Sequence, residues 1–223
     1  MAESCSTEQA ASVKFEKAAP GAWTHQGDVY REVAFIDRYD EVGEEEVIQK
    51  VTFPLSVVLG QECDLASDGA LRSDELPPGR SQRPDNQDAA LLSVLMMPLY
   101  DATIFWAGLH CSDFVQLLYM GTDTHPSSVS LKRRTIGSDE QKRIRGNRDA
   151  RYQFLQISSA ELTGEFVADF KQYFSVPVDY LMVHREQCCG HLATPFREAL
   201  SQRFAYFISR IGLPEQSGNA GDG

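Results

Sequence analysis

The sequence predicts an α+β fold in which several β-strands pack against an amphipathic helix near the end of the chain. Runs rich in β-branched and aromatic residues recur between turn-forming residues, which is typical of paired strands. Large apolar residues at helical spacing then occupy residues 196–211. With 223 residues, 42% of them hydrophobic, the chain can bury one core, and we expect a single globular domain over residues 23–213.

Composition restricts the class of protein. No apolar run approaches the roughly 18–20 residues that a membrane span requires. The first residues have neither the basic nor the apolar region of a signal peptide, so a cytoplasmic location is expected. The cysteines are odd in number and irregularly spaced, which favours reduced thiols over disulfides. They are Cys5, Cys63, Cys111, Cys188 and Cys189.

The first predicted strands form a hairpin. Residues 1–22 are small and polar, and we expect a flexible arm there. Alternating apolar residues over 27–37 predict a strand, and residues 47–53 predict the returning strand. The acidic residues 40–46 between them suit a solvated tip. A metal-binding acidic loop is the alternative interpretation, but the residues lack the spacing of a calcium loop.

A buried strand and a turn follow. Residues 55–59 are apolar and end at Gly60, after which residues 61–65 (QECDL) read as a turn. Residues 66–89 have almost no apolar periodicity, and we expect a long mobile loop. Residues 90–100 predict a second central strand that pairs with residues 55–60 and ends at Pro98.

The second half alternates helices and strands. Apolar spacing over residues 101–120 predicts a helix with Gly121 as its C-cap, although Gly108 weakens it. Residues 121–148 are polar and turn-rich. Residues 151–157 and 166–170 predict a hairpin. The last helix has Thr194 as N-cap and Pro195 as its first residue, and residues 214–223 are expected to be a disordered tail.

Charge is unevenly distributed along the chain. The net charge is −11, which argues against the whole surface binding nucleic acid. Residues 132–151, here called the basic segment, hold eight basic and three acidic residues, so the segment carries +5 and the remainder −16. Arg145, Arg148 and Arg151, with Tyr152 as a stacking ring, are candidate binding residues for RNA or DNA. The segment is alternatively a solvated loop, or it docks on the acidic residues 40–46 of the same or a second subunit.

Cys63 and Asp64 are candidate catalytic residues. A thiol beside a carboxylate becomes a nucleophile when a histidine, such as His110, lowers its pKa. The structural alternative is that both residues, with Gln61 as a further candidate for binding, stabilise a turn. No cofactor motif is present, and a zinc site is not expected, because adjacent Cys188 and Cys189 point apart in an extended chain.

Three blocks then resemble the MazF/PemK-like proteins of prokaryotic toxin–antitoxin systems, which are small SH3-like barrels. They are residues 27–30 (GDVY), 53–59 (FPLSVVL) and 94–99 (VLMMPL). Residues 192–198 (LATPFRE) and 210–214 (RIGLP) resemble the tail of uncharacterised bacterial proteins that also carry the QECDL-type turn. The barrel resemblance covers roughly residues 27–100 and rests on short motifs.

The resemblance implies a partly open SH3-like β-barrel with a long inserted loop, an added β-hairpin and a C-terminal amphipathic helix. Two positions depart from the family's ribonuclease pattern. Phe53 stands where the family has an arginine before the strand proline, and Tyr100 stands where it has a serine or threonine. A benzyl group cannot stabilise phosphoryl charge as a guanidinium does.

The expected function is therefore a binding or regulatory module of a toxin–antitoxin or defence-type system that lacks MazF-type ribonuclease activity. Its partner is a protein or a nucleic acid, and a homodimer is an alternative use of the last helix. The second hypothesis is a diverged nuclease that uses Cys63, Asp64 and the basic segment. No membrane partner is expected.

Overall fold

The computed structural model describes residues 12–18, 21, 23–42, 45–73, 76, 81–112 and 133–209. Eight strands and five α-helices are assigned in this part of the chain, with 3₁₀ turns at Gln87–Ala89 and Arg185–Gln187. The strands are β1 Phe15–Glu16, β2 Asp28–Val42, β3 Glu45–Val58, β4 Ser93–Asp101, β5 Tyr152–Ser158, β6 Thr163–Asp169, β7 Phe174–Pro177 and β8 Cys188–Leu192. The helices are α1 Glu62–Arg72, α2 Ala102–Trp106, α3 Ser138–Arg145, α4 Val178–Val183 and α5 Phe196–Ile208.

The strands form one curled antiparallel sheet in the order β1-β8-β2-β3-β4-β6-β5, with β7 paired to β4. The α+β class is thus confirmed. The N-terminal residues connect the two ends of this sheet, because β1 pairs with β8 while Val13 bridges Ile157 of β5. This arrangement differs from the flexible arm predicted for residues 1–22. Val13 and Phe15 are buried core residues, because the segment that carries them pairs with both ends of the sheet.

The predicted first hairpin is confirmed. Strand β2 pairs with β3 from Val29↔Val57 to Val42↔Glu45, and a register shift lies between Ile36 and Arg38. The returning strand and the apolar run 55–58 are one continuous strand. Residues 43–44 at the acidic tip lie outside the described residues.

Strand β4 is central, as predicted, and it pairs with β3 through Val57↔Met97. The prediction that Pro98 ends it is wrong, because β4 continues to Asp101. Pro98 is opposite Ser56, the last pair with β3, and Leu99 opposite Ala168 begins the pairing with β6. A proline, which lacks an N–H, is accommodated where the strand changes neighbours.

The second predicted hairpin is confirmed as β5 and β6, paired from Tyr152↔Asp169 to Ser158↔Thr163. Its turn is held by Ser159, whose side chain accepts the amides of Glu161 and Leu162. Strands β7 and β8 and helix α4 were not predicted, because each is too short for a periodic pattern to stand out.

Helix α1 replaces the first part of the predicted mobile loop 66–89. Asp68 is buried and pairs with Arg72 one turn later, while Leu65 and Ala70 face the core. The site of Gly69 lies so close to Trp23 that an added Cβ would be 2.7 Å from the tryptophan Cβ. The helix buries Gly69 and the ion-paired Asp68. Its buried face therefore lacks the apolar periodicity by which a helix is predicted from sequence.

The predicted helix over 101–120 is much shorter in the structure. Asp101 caps α2 by accepting the amides of Thr103 and Ile104, but the helix ends at Trp106. Gly108 then adopts φ +69°, and a Cβ there would be 2.2 Å from the carbonyl oxygen of Arg134. This left-handed residue turns the chain away from the helix axis. Residues 113–132, including Gly121, lie outside the described residues.

Two further helices differ from expectation. Within the predicted turn-rich region, residues 138–145 form α3, which follows Gly137 and has acidic residues in its first turn and basic ones in its last. Helix α5 begins at Phe196, with Pro195 as N-cap, one residue later than predicted; the Thr194 hydroxyl instead donates to Glu198. No helix in the described ranges is both long and apolar enough to cross a membrane.

Candidate functional site

Residues 61–65, predicted to form a turn, are the start of helix α1. Gln61 is the N-cap residue, and its carbonyl oxygen accepts the amides of Asp64 and Leu65 at 3.2 and 3.0 Å. Glu62 and Asp64 place carboxylates in the first turn, where they interact favourably with the positive end of the helix dipole. The motif therefore presents its polar groups on a helix terminus.

Cys63 is exposed, and its thiol contacts the carboxylate of Asp64 (3.4 Å) and the side-chain oxygen of Gln61 (3.7 Å). The histidine proposed to activate it lies elsewhere. His110 packs on the rings of Phe105 and Tyr100 in the cluster beneath α2, with centroid distances of 4.4 and 5.0 Å. Burial lowers the pKa of His110. The structure thus brings together Gln61, Cys63 and Asp64, but places His110 in a different cluster.

Glu62 is the residue of this motif that the sequence analysis missed. Its carboxylate contacts His25 Nδ1 at 2.8 Å, accepts the amide of Gln26 at 2.9 Å and pairs with Arg197 at 3.5 Å. Burial alone would raise the pKa of Glu62, but the hydrogen bonds from His25 and the Gln26 amide lower it below its usual value. One carboxylate therefore joins α1 to the loop before β2 and to α5.

A histidine held by a carboxylate beside an arginine is also a set that supports acid–base chemistry. Here the partners of Glu62 come from two separate segments, the loop before β2 and helix α5, and Gln26 adds a further link by donating to Ser201 on α5 (2.9 Å). The arginine is itself engaged by Glu198 at 2.8 Å. We interpret the cluster as a brace between elements, the structural alternative that the sequence left open for this motif.

A second polar network is buried beside the brace. Asp28 accepts the amide of His25 (2.9 Å) and the guanidinium of Arg185 (2.5 Å), which also donates to the Tyr30 hydroxyl at 2.8 Å. The Thr24 hydroxyl lies 2.9 Å from the same phenol oxygen. Burial raises the pKa of Asp28, and Arg185 offsets only part of this effect. The network fastens β2 to the 3₁₀ turn before β8.

Four arginines of the basic segment pair with carboxylates of the same chain. Four carboxylate partners are Glu140 for Arg134, Asp149 for Arg143, Glu165 for Arg145 and Asp169 for Arg151. The Arg151–Asp169 pair is bidentate, with distances of 2.7 and 2.5 Å, and Asp169 is fully buried. Arg145 also lies over the rings of Trp106 and Phe154. These contacts pair four arginines of the segment with carboxylates, while the side chains of Arg134, Arg143 and Arg145 stay 60%, 53% and 40% exposed.

Tyr152 does not offer the stacking face that was predicted for it. It is buried as the first residue of β5, its hydroxyl accepts a hydrogen bond from Arg134 at 3.2 Å, and Arg151 covers its ring at 4.9 Å. Arg148 lines a small cavity of about 160 Å³ beside Arg203. The segment is thus organised by contacts with β5 and β6.

The adjacent cysteines point apart, as the extended chain predicted. Cys188 packs against the core cluster that contains Tyr30, and Cys189 packs against the cluster that contains Val29. Burial raises the pKa of the Cys188 thiol to about 12 and also raises that of Cys189. Among the described residues, no three His, Cys, Asp or Glu side chains are grouped closely enough to hold a metal ion.

A groove lies between the β2–β3 hairpin and the segment that joins β6 to β7. Its volume is about 330 Å³. Its apolar wall is made of Phe35, Phe53, Leu95, Tyr173 and Phe174, and its polar wall of Lys171, Gln172 and Ser175. These eight residues define the groove throughout.

Aromatic contacts shape the groove. Phe174 stacks on Phe53 with ring centroids 4.8 Å apart and meets Phe35 edge-on at 5.8 Å. Tyr173 and Leu95 remain 49% and 40% exposed, although both are large and apolar. Sequence reasoning missed this groove because its aromatic residues come from three distant parts of the chain.

Comparisons of the chain with models of known protein families, with curated proteins and with solved structures find no match.

Proposed function

We propose that this chain is a non-enzymatic binding or regulatory module of a prokaryotic toxin–antitoxin or defence-type system, with an SH3-like barrel, and that its protein partner binds in the groove. The observation that carries the binding role is the groove itself. Its wall exposes Tyr173 and Leu95 next to three packed aromatic rings. An apolar concave site of this volume, with few polar groups, is the usual form of a ligand site.

The absence of MazF-type ribonuclease activity is supported by the two positions that depart from the family pattern. Phe53 is only 4% exposed and packs on Phe174, and Tyr100 is buried beside Phe105. Neither side chain offers a charged group to a phosphodiester, and electrostatic stabilisation of the transition state requires one. The resemblance of the three sequence blocks supports the toxin–antitoxin setting.

A protein partner is favoured over a nucleic acid by the state of the basic segment. Phosphate binding requires cations that face solvent, because its free energy comes from neutralising the backbone and releasing counterions. Arg151 pairs with the buried Asp169, and Arg145, although its side chain is 40% exposed, pairs with Glu165. A nucleic acid that bound here would have to displace these carboxylates.

The first experiment tests for enzymatic activity and nucleic-acid binding. Purified chain is incubated with single-stranded RNA, in parallel with the variants Cys63→Ala and Asp64→Ala, and retention of RNA is measured at low and high salt. We expect no cleavage by any of the three proteins and no salt-dependent retention. Cleavage that is lost in either variant would instead support the nuclease hypothesis.

The second experiment tests the groove. Random twelve-residue peptides displayed on phage are selected against the chain, and the selected peptides are titrated against Tyr173→Ser and against Leu92→Ser. Leu92 is 91% exposed and is not part of the groove wall, so it is the matched control. We expect enriched peptides whose affinity falls at least about tenfold in Tyr173→Ser and stays unchanged in Leu92→Ser. No enrichment, or equal effects of both variants, would contradict a groove-binding module.

A further inference from the structure

The polar wall of the groove is held in a fixed position by a buried ion pair. The amide of Lys171 donates to the carboxylate of Asp169 (3.1 Å), and the amide of Gln172 donates to the Asp169 carbonyl (2.8 Å). Asp169 is itself fixed by both guanidinium contacts of Arg151. The turn that carries Lys171 is therefore tied to the core, and little backbone entropy is lost when it meets a ligand.

Lys171 is also the one charged side chain among the groove residues. The chain as a whole carries −11, but distant exposed charges are screened beyond about 8–10 Å at physiological salt. Among the described residues that line the groove, this ammonium group is therefore the charge available to a ligand. The groove should therefore prefer a ligand with a carboxylate, whereas the net negative charge of the chain would attract a cationic ligand.

The apolar wall favours one large side chain. Tyr173 is supported from behind by Phe204 of α5, whose ring centroid lies 5.2 Å away in an edge-on contact. The exposed face of Tyr173 and the packed rings of Phe53 and Phe174 can therefore receive an aromatic or long aliphatic group at little cost in side-chain entropy. A volume of about 330 Å³ accommodates one such group.

We infer that the ligand of the groove is an extended peptide segment that inserts one aromatic or large aliphatic side chain beside Tyr173 and places the carboxylate of a neighbouring Asp or Glu on Lys171. The inference rests on the proposed function, since it specifies the ligand of the same groove. It assigns anchoring to the apolar wall and selectivity to Lys171. The partner is thus a protein with an apolar residue next to an acidic one in an exposed, extended segment.

The test uses displayed random twelve-residue peptides as the probe against the full chain and the variants Lys171→Gln and Lys171→Glu. Lys171 is exposed, so both variants are expected to fold, which circular dichroism and thermal unfolding check. The wild type should enrich peptides with Asp or Glu beside the apolar anchor, Lys171→Gln should lose this preference, and Lys171→Glu should enrich Lys or Arg there. Each acidic peptide should bind Lys171→Glu about two- to fivefold more weakly, as is typical of one exposed ion pair.

The outcomes separate this inference from the proposed function. One outcome is that the peptides require Tyr173, but that the wild type, Lys171→Gln and Lys171→Glu all select the same charge beside the anchor. This outcome would overturn the inference and leave the groove-binding function in place. Peptides that do not require Tyr173, or a failure to enrich any peptide, would overturn both.

Discussion

The basic segment and the groove contrast in how their side chains are used. The basic segment concentrates the positive charge of the sequence, yet four of its arginines reach carboxylates of the same chain. The groove has no sequence signature, yet it leaves Tyr173 and Leu95 exposed. The comparison teaches that a charge cluster in a sequence does not by itself identify a binding surface, because the fold can pair its charges internally.

The largest expected effect is on stability, in the basic segment. Arg151→Ala removes both guanidinium contacts of the buried Asp169 carboxylate and leaves the Lys171 amide as a donor, and breaking such a buried ion pair costs about 3–5 kcal/mol. Lys142→Ala is the control, because its ammonium is largely exposed and pairs only at 3.7 Å with the exposed Asp139. Urea unfolding measures both. A stable Arg151→Ala variant with altered RNA binding would reverse the assignment of this residue.

The next effect is on binding, in the groove. Tyr173→Ser should weaken the selected peptides by about 1.4 kcal/mol or more, because it removes the exposed ring that anchors them. Stability should fall by about 1–2 kcal/mol, since half of the side chain is in water and the ring packs edge-on against Phe204. Titration calorimetry and urea unfolding of the same samples separate these two quantities. A loss of binding that merely followed a loss of folding would count against the groove.

A smaller effect is expected at the brace. Glu62→Gln should lower stability by about 1–2 kcal/mol at neutral pH, because a carboxylate that accepts from His25 and Gln26 becomes a neutral amide. The pKa of Glu62 is lowered in the folded protein, so its contribution is present above the usual glutamate pKa of about 4.3 and is lost as the pH falls through the lowered value.

The difference in stability between wild type and Glu62→Gln should therefore shrink in acid. Unfolding measured from pH 7 down to pH 3 checks this. A difference that stays constant over this range would show that the carboxylate charge does not matter to the brace.

The smallest effect is expected at Cys63. Its thiol is exposed and contacts the side chains of Gln61 and Asp64, so Cys63→Ser should change stability by less than about 0.5 kcal/mol. Thermal unfolding tests whether Cys63 stabilises the structure, and the RNA-cleavage assay tests whether it is a catalytic residue. A large change in either would restore Cys63 as a site residue.

The sequence predicted those parts of the fold in which local pattern and tertiary contact agree. The β2–β3 and β5–β6 hairpins follow alternating residues and short connections, and their pairings are confirmed. Helix α1 was missed because it buries Asp68 and Gly69, which read as loop residues. The end of α2 depends on the close approach of Gly108 to Arg134, a contact that a local pattern does not contain.

The candidate sites also depend on tertiary contacts that a local sequence pattern does not contain. Residues 61–65 were predicted to be a turn that carries candidate site residues, but the residue of this motif that contacts distant segments is Glu62, through His25 at 37 positions' separation. The groove joins Phe35 and Phe53 to Phe174, and no periodicity relates these positions. Contacts between distant segments decide both sites, and one sequence alone does not reveal them.

The most direct test of the central claim compares the two regions in one binding experiment. A peptide selected on the wild-type chain is titrated against Tyr173→Ser and against Arg145→Ala, which alters an arginine already paired with Glu165. We predict at least about tenfold weaker binding to Tyr173→Ser and less than about twofold change for Arg145→Ala. Weaker binding to Arg145→Ala, with Tyr173→Ser unchanged, would place the partner on the basic segment and contradict the proposal.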